Sequence, residues 1–271
     1  MGAAAHRAAH QVLEQGRIFR DPLALEILGE DADRMVRLAA QDESKRGYRL
    51  FIAARTRFAE DALAQAVEHG VGQLVVLGAG LDTYAYRGAC RGRLRIFEVD
   101  HPATQEWKRA RLRDAGIPVP DGLTFAPVDF ERQALRDGLA AAGFDPARQT
   151  FFTWLGVVPY LTEDAVWSTL QFIAGLSGGA EVVFDYSDPP ATLSAESRMA
   201  HEARAARVAS IGEAWKSFFE ADELRVKLTG IGFMEVEDLG PRDIVARYLL
   251  SRGGDPRDRG GHIVHARTAA R

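Results

Sequence analysis

Residues Gln73-Leu-Val-Val-Leu-Gly-Ala-Gly-Leu-Asp82 and Ile96-Phe-Glu-Val-Asp100 restrict the possible folds more than any other part of the chain. An apolar run enters a Gly-x-Gly turn, and a second apolar run ends in a carboxylate about 20 positions further on. That is the spacing of a nucleoside-binding crevice at the carboxyl edge of a parallel sheet. Gly78 and Gly80 permit a sharp turn and the close approach of a ligand, because neither carries a Cβ. Asp100, at the tip of the second strand, is placed to accept hydrogen bonds from both hydroxyls of a ribose.

Around this pair, short apolar runs recur at 74–77, 94–99, 123–128, 150–155 and 181–186, with helical patterns at 102–115, 131–142 and 162–176. Such alternation predicts a parallel sheet with right-handed helical crossovers and helices on both faces. Upstream, residues 45–69 read as a long helix, with Leu50, Ala54, Phe58, Ala62 and Ala66 along one stripe and Gly70 as its stop. The alternation breaks at Asp188-Pro-Pro190. Residues 194–209 read as an Ala/Arg/Glu-rich helix, and 213–230 as a second helical stretch carrying Trp215, Phe218 and Phe219. Strand character returns at 234–239 and 262–266, with 253–261 as a hairpin loop before the last strand.

The expected fold is therefore α/β, a doubly wound and mostly parallel sheet of the Rossmann-like kind with N-terminal helices and a helical lid inserted late in the chain. With 271 residues, 46% of them hydrophobic, one domain suffices to bury a large core. Its parts are a helical cap (1–70), a cofactor-binding core (71–187), the lid (188–231) and C-terminal strands (232–271).

The glycine turn argues against a dinucleotide. A nicotinamide fingerprint places a third glycine three residues after the second, and that position here is Thr83. A ligand without phosphates, such as S-adenosyl-L-methionine, needs only the glycine turn for its amino-acid part and an acidic residue for its ribose. A dehydrogenase is the alternative, which nicotinamide binding would revive.

Three segments resemble successive motifs of the leucine carboxyl methyltransferase family. They are Gly78-Ala-Gly-Leu-Asp-Thr-Tyr-Ala-Tyr-Arg87, Phe97-Glu-Val-Asp-His-Pro102 followed by Lys108-Arg109, and Phe152-Thr-Trp-Leu-Gly-Val-Val-Pro-Tyr-Leu161. Phe19-Arg-Asp-Pro-Leu-Ala24 and Ala54-Arg-Thr-Arg57 resemble the family's N-terminal signatures. The resemblance runs through most of 17–187 and is faint beyond Pro190. It implies a class I methyltransferase that uses S-adenosyl-L-methionine, from the bacterial branch acting on small metabolites, and says more about the cofactor than about the acceptor.

On that resemblance Arg55 pairs with the cofactor carboxylate, a task suited to a planar bidentate donor. Gly78, Ala79 and Gly80 face the methionyl part, Asp100 the ribose and Asp129 the adenine amino group, and His101, Phe130 and Trp154 join the cofactor-binding set. Asp129 has a second reading, as the N-cap of the following helix. One position departs from the pattern. Many members carry a glutamate before the glycine of the fourth motif, where it contacts the cofactor's amino group, whereas Leu155 precedes Gly156 here. That contact is lost or passes to a backbone carbonyl near Trp154 or Leu155.

A net charge of -4 supplies no basic field for nucleic acid. Arg91, Arg93 and Arg95 cluster, as do Lys108, Arg109, Arg111 and Arg113, but acidic neighbours make a solvated face the expected reading. Cys90 is the only cysteine, so neither an intrachain disulfide nor a cysteine metal cluster can form, and a reducing compartment is the natural setting. The N-terminal stretch lacks an apolar core of signal-peptide length, and no apolar run approaches the roughly 20 residues that span a bilayer. A cytoplasmic enzyme with a small-molecule substrate is expected, without a metal, nucleic-acid or membrane partner; the oligomeric state is left open.

Methyl transfer from a sulfonium is an in-line displacement, so the protein chiefly aligns two groups and excludes water. Tyr160 and Tyr186, at or just past strand ends, and His201 on the lid are the candidates for catalysis. Tyr48, Arg198 and Trp215 are the candidates for holding the acceptor, with Phe218 and Phe219 as an apolar wall. A histidine near neutral pKa is the usual base for a phenol or hydroxyl, whereas a carboxylate is already ionised and needs none. O-methylation of a small-molecule carboxylic acid is the first expectation. Methylation of a phenol, hydroxyl or amine is the second, and a cyclase or binder that keeps the cofactor without transferring methyl is the third. Asp100→Ala is expected to weaken cofactor binding and to leave the fold intact.

Overall fold

A computed structural model describes residues 2–129, 133–209, 214–249 and 260–269. The described strands are β1 (Gln73–Leu77), β2 (Arg95–Asp100), β3 (Leu123–Pro127), β4 (Thr150–Trp154), β5 (Ala180–Ser187), β6 (Phe233–Leu239) and β7 (Gly261–Thr268). They form a seven-stranded sheet in the order β3-β2-β1-β4-β5-β7-β6. β2 pairs in parallel with β1 and β3, while β7 runs antiparallel between β5 and β6. This is the α/β, Rossmann-like architecture expected from the alternation. The chain divides into two compact units, Met1–Phe152 and Thr153–Arg271.

The first unit opens with helices α1 (Gly2–Leu13), α2 (Leu23–Leu28), α3 (Asp31–Gln41) and α4 (Arg46–Glu68). α4 follows the periodicity of 45–69 closely: Leu50, Ala54, Phe58, Ala62 and Ala66 are all buried, and the chain leaves it through Gly70 at φ 102°. α1 and α4 are joined by a buried ion pair, in which Arg49 Nε and Nη2 donate to Glu14 at 2.9 and 2.6 Å. Burial raises the Glu14 pKa, but donation from His10 and Arg49 outweighs it and brings the group down to about 2. All five residues of β1 are buried, which is why Leu74–Leu77 reads as an unbroken apolar run. The strand's one polar member, Gln73, donates to Asp145 O at 2.8 Å and Thr150 Oγ1 at 3.0 Å.

Short α5 (Tyr84–Arg87) follows the glycine turn, and α6 (Pro102–Asp114) follows β2, with Pro102 in its first turn. The helix expected from residue 131 is α7 (Leu135–Ala141), with Ala134 at its N-cap, and residues 130–132 lie outside the described residues.

In the second unit, α8 (Glu163–Ala174) starts at Thr162, whose Oγ1 accepts from the Ala165 amide at 3.3 Å. α9 (Ala195–Ala209) matches the helix predicted at 194–209. The second helical stretch, expected at 213–230, is shorter than its sequence suggests. α10 spans only Ala221–Gly230, and 214–220 is irregular. The reason lies in where that segment's donors go. Lys216 N–H donates to Pro159 O at 2.6 Å, Ser217 Oγ to Val158 O at 2.8 Å and Phe219 N–H to Ser187 O at 3.2 Å, so tertiary acceptors take the place of a helical ladder. A helix absent from the periodicity reading, α11 (Pro241–Tyr248), begins where Asp243 Oδ2 accepts from the Gly240 amide at 3.2 Å. Most of the hairpin loop expected at 253–261 lies outside the described residues. No described helix is long and apolar enough to cross a membrane.

Candidate active site

β1 runs directly into Gly78 (φ 64°) and Gly80 (φ 42°), left-handed conformations that favour glycine. The turn aims the Gly80 amide at the neighbouring strand tip, where it donates to Asp100 Oδ2 at 2.6 Å. The His101 amide donates to the other oxygen, Oδ1, at 2.7 Å, and Ala79 N–H reaches Val99 O at 3.1 Å. The Asp100 carboxylate is thus fixed in place with each oxygen used once. An ionised carboxylate offers about four acceptor positions, and Asp100 is half-buried, so it retains capacity for a ligand diol. That donor and acceptor set fits the ribose of S-adenosyl-L-methionine. Beyond the turn, Asp82 Oδ1 accepts from Tyr84 N–H at 2.8 Å and opens α5.

His101 and Asp129 come together beyond the ends of β2 and β3. The His101 ring is 56% exposed, with Nε2 at 4.0 Å from Asp129 Oδ2, and its Nδ1 accepts from the Ala103 amide at 3.2 Å to cap α6. Asp129 does not cap α7, which starts at Leu135 with Ala134 at its N-cap. Its carbonyl instead accepts from Gln133 N–H at 2.8 Å. Phe130 lies outside the described residues.

Arg55 sits on α4, 3% exposed, with its guanidinium 5.9 Å from the centroid of the Phe51 ring. Phe51 stacks on Tyr48 at 6.4 Å, and Tyr48 meets His6 edge-on at 5.0 Å. Positions i, i+3 and i+7 share a helix face, so the acceptor candidate Tyr48 and the cofactor candidate Arg55 lie on one strip with Phe51 between them.

An unassigned part of the Phe19-Arg-Asp-Pro segment proves central to how this turn is held. Asp21 is wholly buried and accepts from Arg7 Nε at 2.7 Å, Thr83 Oγ1 at 2.8 Å and Arg87 Nε at 3.0 Å. Arg7 also donates to Leu81 O at 2.7 Å, and Arg87 pairs with Glu60 of α4 and lies 4.8 Å over the Phe19 ring. One carboxylate therefore ties α1 to Leu81–Arg87, the segment that leaves the glycine turn. Burial raises the Asp21 pKa, but the two guanidinium groups more than offset it and hold the carboxyl below its usual range.

Comparison with known proteins shows the family. A model of the leucine carboxyl methyltransferase family matches residues 1–174. The chain belongs to the leucine carboxyl methyltransferase family. Among its relatives, a Bacillus subtilis protein provisionally named as an S-adenosyl-L-methionine-dependent methyltransferase, YktD, is 36% identical over 73% of this chain and 66% of its own length. A Frankia alni protein with the same provisional name is 33% identical over 99% of this chain and 94% of its own. A solved structure from Thermobifida fusca, described provisionally as a methyltransferase, covers 99% of this chain and 94% of its own at TM-score 0.60 and 14% identity. That likeness speaks for the fold.

The family match ends at Ala174, the last residue of α8, and the remaining candidates lie in the second unit. Trp154 is wholly buried, with its ring 6.4 Å from Phe184. Leu155 is half-buried, and the next residue, Gly156 (φ 72°), donates its amide to Asp185 Oδ1 at 2.5 Å. Tyr160 is half-buried in the turn Val158–Tyr160, to which Lys216 and Ser217 are bonded. His201 of α9 packs against Trp215 at 4.8 Å and Phe218 at 5.4 Å, joining α9 to the irregular segment. Arg198 is exposed, and Phe219 is buried against Trp167 and Tyr186.

Tyr186 belongs to a closed cluster. Its hydroxyl donates to Asp238 Oδ2 at 2.6 Å and lies 3.1 Å from His262 Nδ1, and the two rings stack at 4.6 Å. His262 sits between two carboxylates, with Nδ1 at 2.9 Å from Asp238 Oδ1 and Nε2 at 3.2 Å from Asp188 Oδ2. Burial lowers the His262 pKa, but the bonds to Asp188 and Asp238 outweigh it and raise the group to about 9. Burial and Asp238 push the Tyr186 phenol well above its ordinary range. Sequence reasoning had no signal for His262 or Asp238 beyond their places at the ends of strands.

Proposed function

We propose that this member of the leucine carboxyl methyltransferase family methylates an oxygen of a small carboxylic acid. The coarser part, methyl transfer from S-adenosyl-L-methionine, follows from family membership together with the Gly80–Asp100 arrangement. When bound, the cofactor supplies a sulfonium methyl group. Asp100 would accept from the ribose, the glycine turn would border the methionyl part, and Arg55 would pair with the carboxylate. Transfer of that methyl group from sulfur to an acceptor carboxylate oxygen would give a methyl ester and S-adenosylhomocysteine, with no proton to be removed.

The observation that carries the carboxylic-acid reading is the state of Tyr186. Its hydroxyl is committed to Asp238 and its phenol is held protonated, so it is poorly suited to remove a proton from a phenol or alcohol. An acceptor that is already ionised has no such requirement.

The test uses cofactor labelled in the methyl group and a panel of carboxylic acids, phenols and amines, followed by alkali treatment of the products. Methyl esters release labelled methanol in alkali; ethers and methylamines do not. Volatile label from carboxylic acids alone supports the reading, and alkali-stable label moves the assignment to the second group of acceptors. Cofactor binding without S-adenosylhomocysteine release would favour the non-methylating reading.

A further inference from the structure

Glu98 lies two residues before Asp100 on β2 and is wholly buried. Lys108 of α6, 1% exposed, places Nζ at 2.7 Å from its Oε2. The basic run at 108–113 was expected to be a solvated face, and this lysine is the exception. Tyr86 of α5 donates its hydroxyl to the same Oε2 at 3.4 Å and turns its ring to Lys108 Nζ at 5.3 Å. Gln105 of α6 donates to the Glu98 carbonyl at 2.7 Å. Burial raises the Glu98 pKa to about 7, with Lys108 opposing.

Two features argue that this pair does something other than stabilise the fold. Buried ion pairs commonly hold a fold no better than apolar residues of the same volume, because desolvation offsets the attraction. The Glu98 carboxyl is also incompletely satisfied, since Oε1 is buried without a hydrogen-bond partner among the described residues. What the pair does achieve is geometric. Its members come from the three segments that build the nucleoside site: α5 follows the glycine turn, β2 ends at Asp100, and α6 starts at the residue after His101.

We propose that Glu98, Lys108 and Tyr86 are positioning residues for the cofactor, fixing α6 against α5 and so holding Gly80 and Asp100 in the geometry that receives the ribose. This rests on the cofactor reading given above. Opposite charges held 2.7 Å apart in a buried setting resist separation, and the Tyr86 hydroxyl bonds the same carboxylate from α5. The cluster touches no ligand itself and acts through Asp100 and the glycine turn.

The test is calorimetric titration with S-adenosylhomocysteine, paired with urea unfolding, on the wild type, Glu98→Gln, Lys108→Met, the double variant and Tyr86→Phe. The double variant removes both charges and is expected to regain wild-type stability, since neutral replacements of buried pairs are often tolerated. Its affinity is expected to stay about tenfold weaker, as supporting residues of a binding site typically show. Tyr86→Phe, which loses only a hydroxyl, is expected to fold normally and bind about threefold more weakly. If affinity recovers with stability in the double variant, or Tyr86→Phe binds as the wild type does, the cluster is only structural and the proposal falls. If the folded wild type does not bind S-adenosylhomocysteine, the cofactor reading itself fails, an outcome separate from the other two.

Discussion

Gly80 and Asp100, 20 positions apart in the chain, are joined by a 2.6 Å hydrogen bond from amide to carboxylate. The carboxylate proposed to hold the ribose is therefore also a structural part of the turn beside it. Asp100→Ala, read from sequence as harmless to the fold, leaves the amides of Gly80 and His101 without their acceptor. It is expected to weaken S-adenosylhomocysteine binding by at least tenfold and to cost about 1–3 kcal/mol of stability, the penalty for orphaned donors. Titration and urea unfolding on the same preparation check both, and an unchanged affinity would remove the ribose assignment.

Arg55 can be separated from general binding by comparing two ligands. S-Adenosylhomocysteine carries the amino-acid carboxylate, and methylthioadenosine lacks it. Arg55→Lys keeps the charge but loses the bidentate fork, so it is expected to weaken the first ligand about tenfold and leave the second nearly unchanged. Equal losses for both would show that Arg55 acts only through its packing on Phe51.

Much of the cofactor end is legible in the sequence because it depends on local features. Apolar runs mark buried strands, and glycines mark left-handed turns. The rest depends on partners distant in the chain. Asp21 meets Thr83 and Arg87, 62 and 66 residues away, and nothing in its local sequence names them. Lys108 was obscured by the density of charge around it, although Gln105, Lys108 and Leu112 fall at i, i+3 and i+7 and all face inward. That periodicity was the available signal. Residues 214–220 carry helical residues but give their hydrogen bonds to Pro159, Val158 and Ser187, an outcome that only the tertiary structure decides.

Asp21→Asn tests the network that secures the turn. The amide cannot balance Arg7 and Arg87, two guanidinium groups in a largely buried setting. A loss of about 3–5 kcal/mol is expected, the usual consequence of leaving a buried charge uncompensated. Because the Asp21 pKa is depressed in the fold, its contribution is present above the unfolded value near 4 and fades as pH falls through the lower folded value. Urea unfolding at neutral pH measures the loss, and a change below about 1 kcal/mol would mean that the network contributes little.

His262 gives stability a dependence on alkaline pH. Its folded pKa, about 9, stands above the roughly 6.5 of an unfolded histidine, so the folded state holds the proton more tightly. The stabilisation is complete below about pH 6.5, declines as pH rises and is gone above the folded value, with a total on the order of 3 kcal/mol. Glu98, also raised, lowers stability across a more acidic window, between its ordinary pKa and about 7. Melting temperature measured from pH 6 to 10 is expected to fall most steeply between 7 and 9 in the wild type and to lose most of that slope in His262→Gln. The same slope in both would place the titrating group elsewhere.

His201 separates the two acceptor classes. Its ring packs on Trp215 and Phe218, and phenylalanine can take over that contact while removing any capacity to accept a proton. If the acceptor is a carboxylate, His201→Phe is expected to keep kcat/KM within about threefold of the wild type, with a flat rate profile from pH 6 to 8, because no base is required. If the histidine deprotonates a phenol or alcohol, the same change should cost about 100-fold or more and remove the pH dependence of the rate that a general base imposes. Cofactor affinity, measured alongside, should not move in either case. A fall in kcat/KM at constant cofactor affinity would therefore count against the carboxylic-acid reading and transfer the role of base to α9.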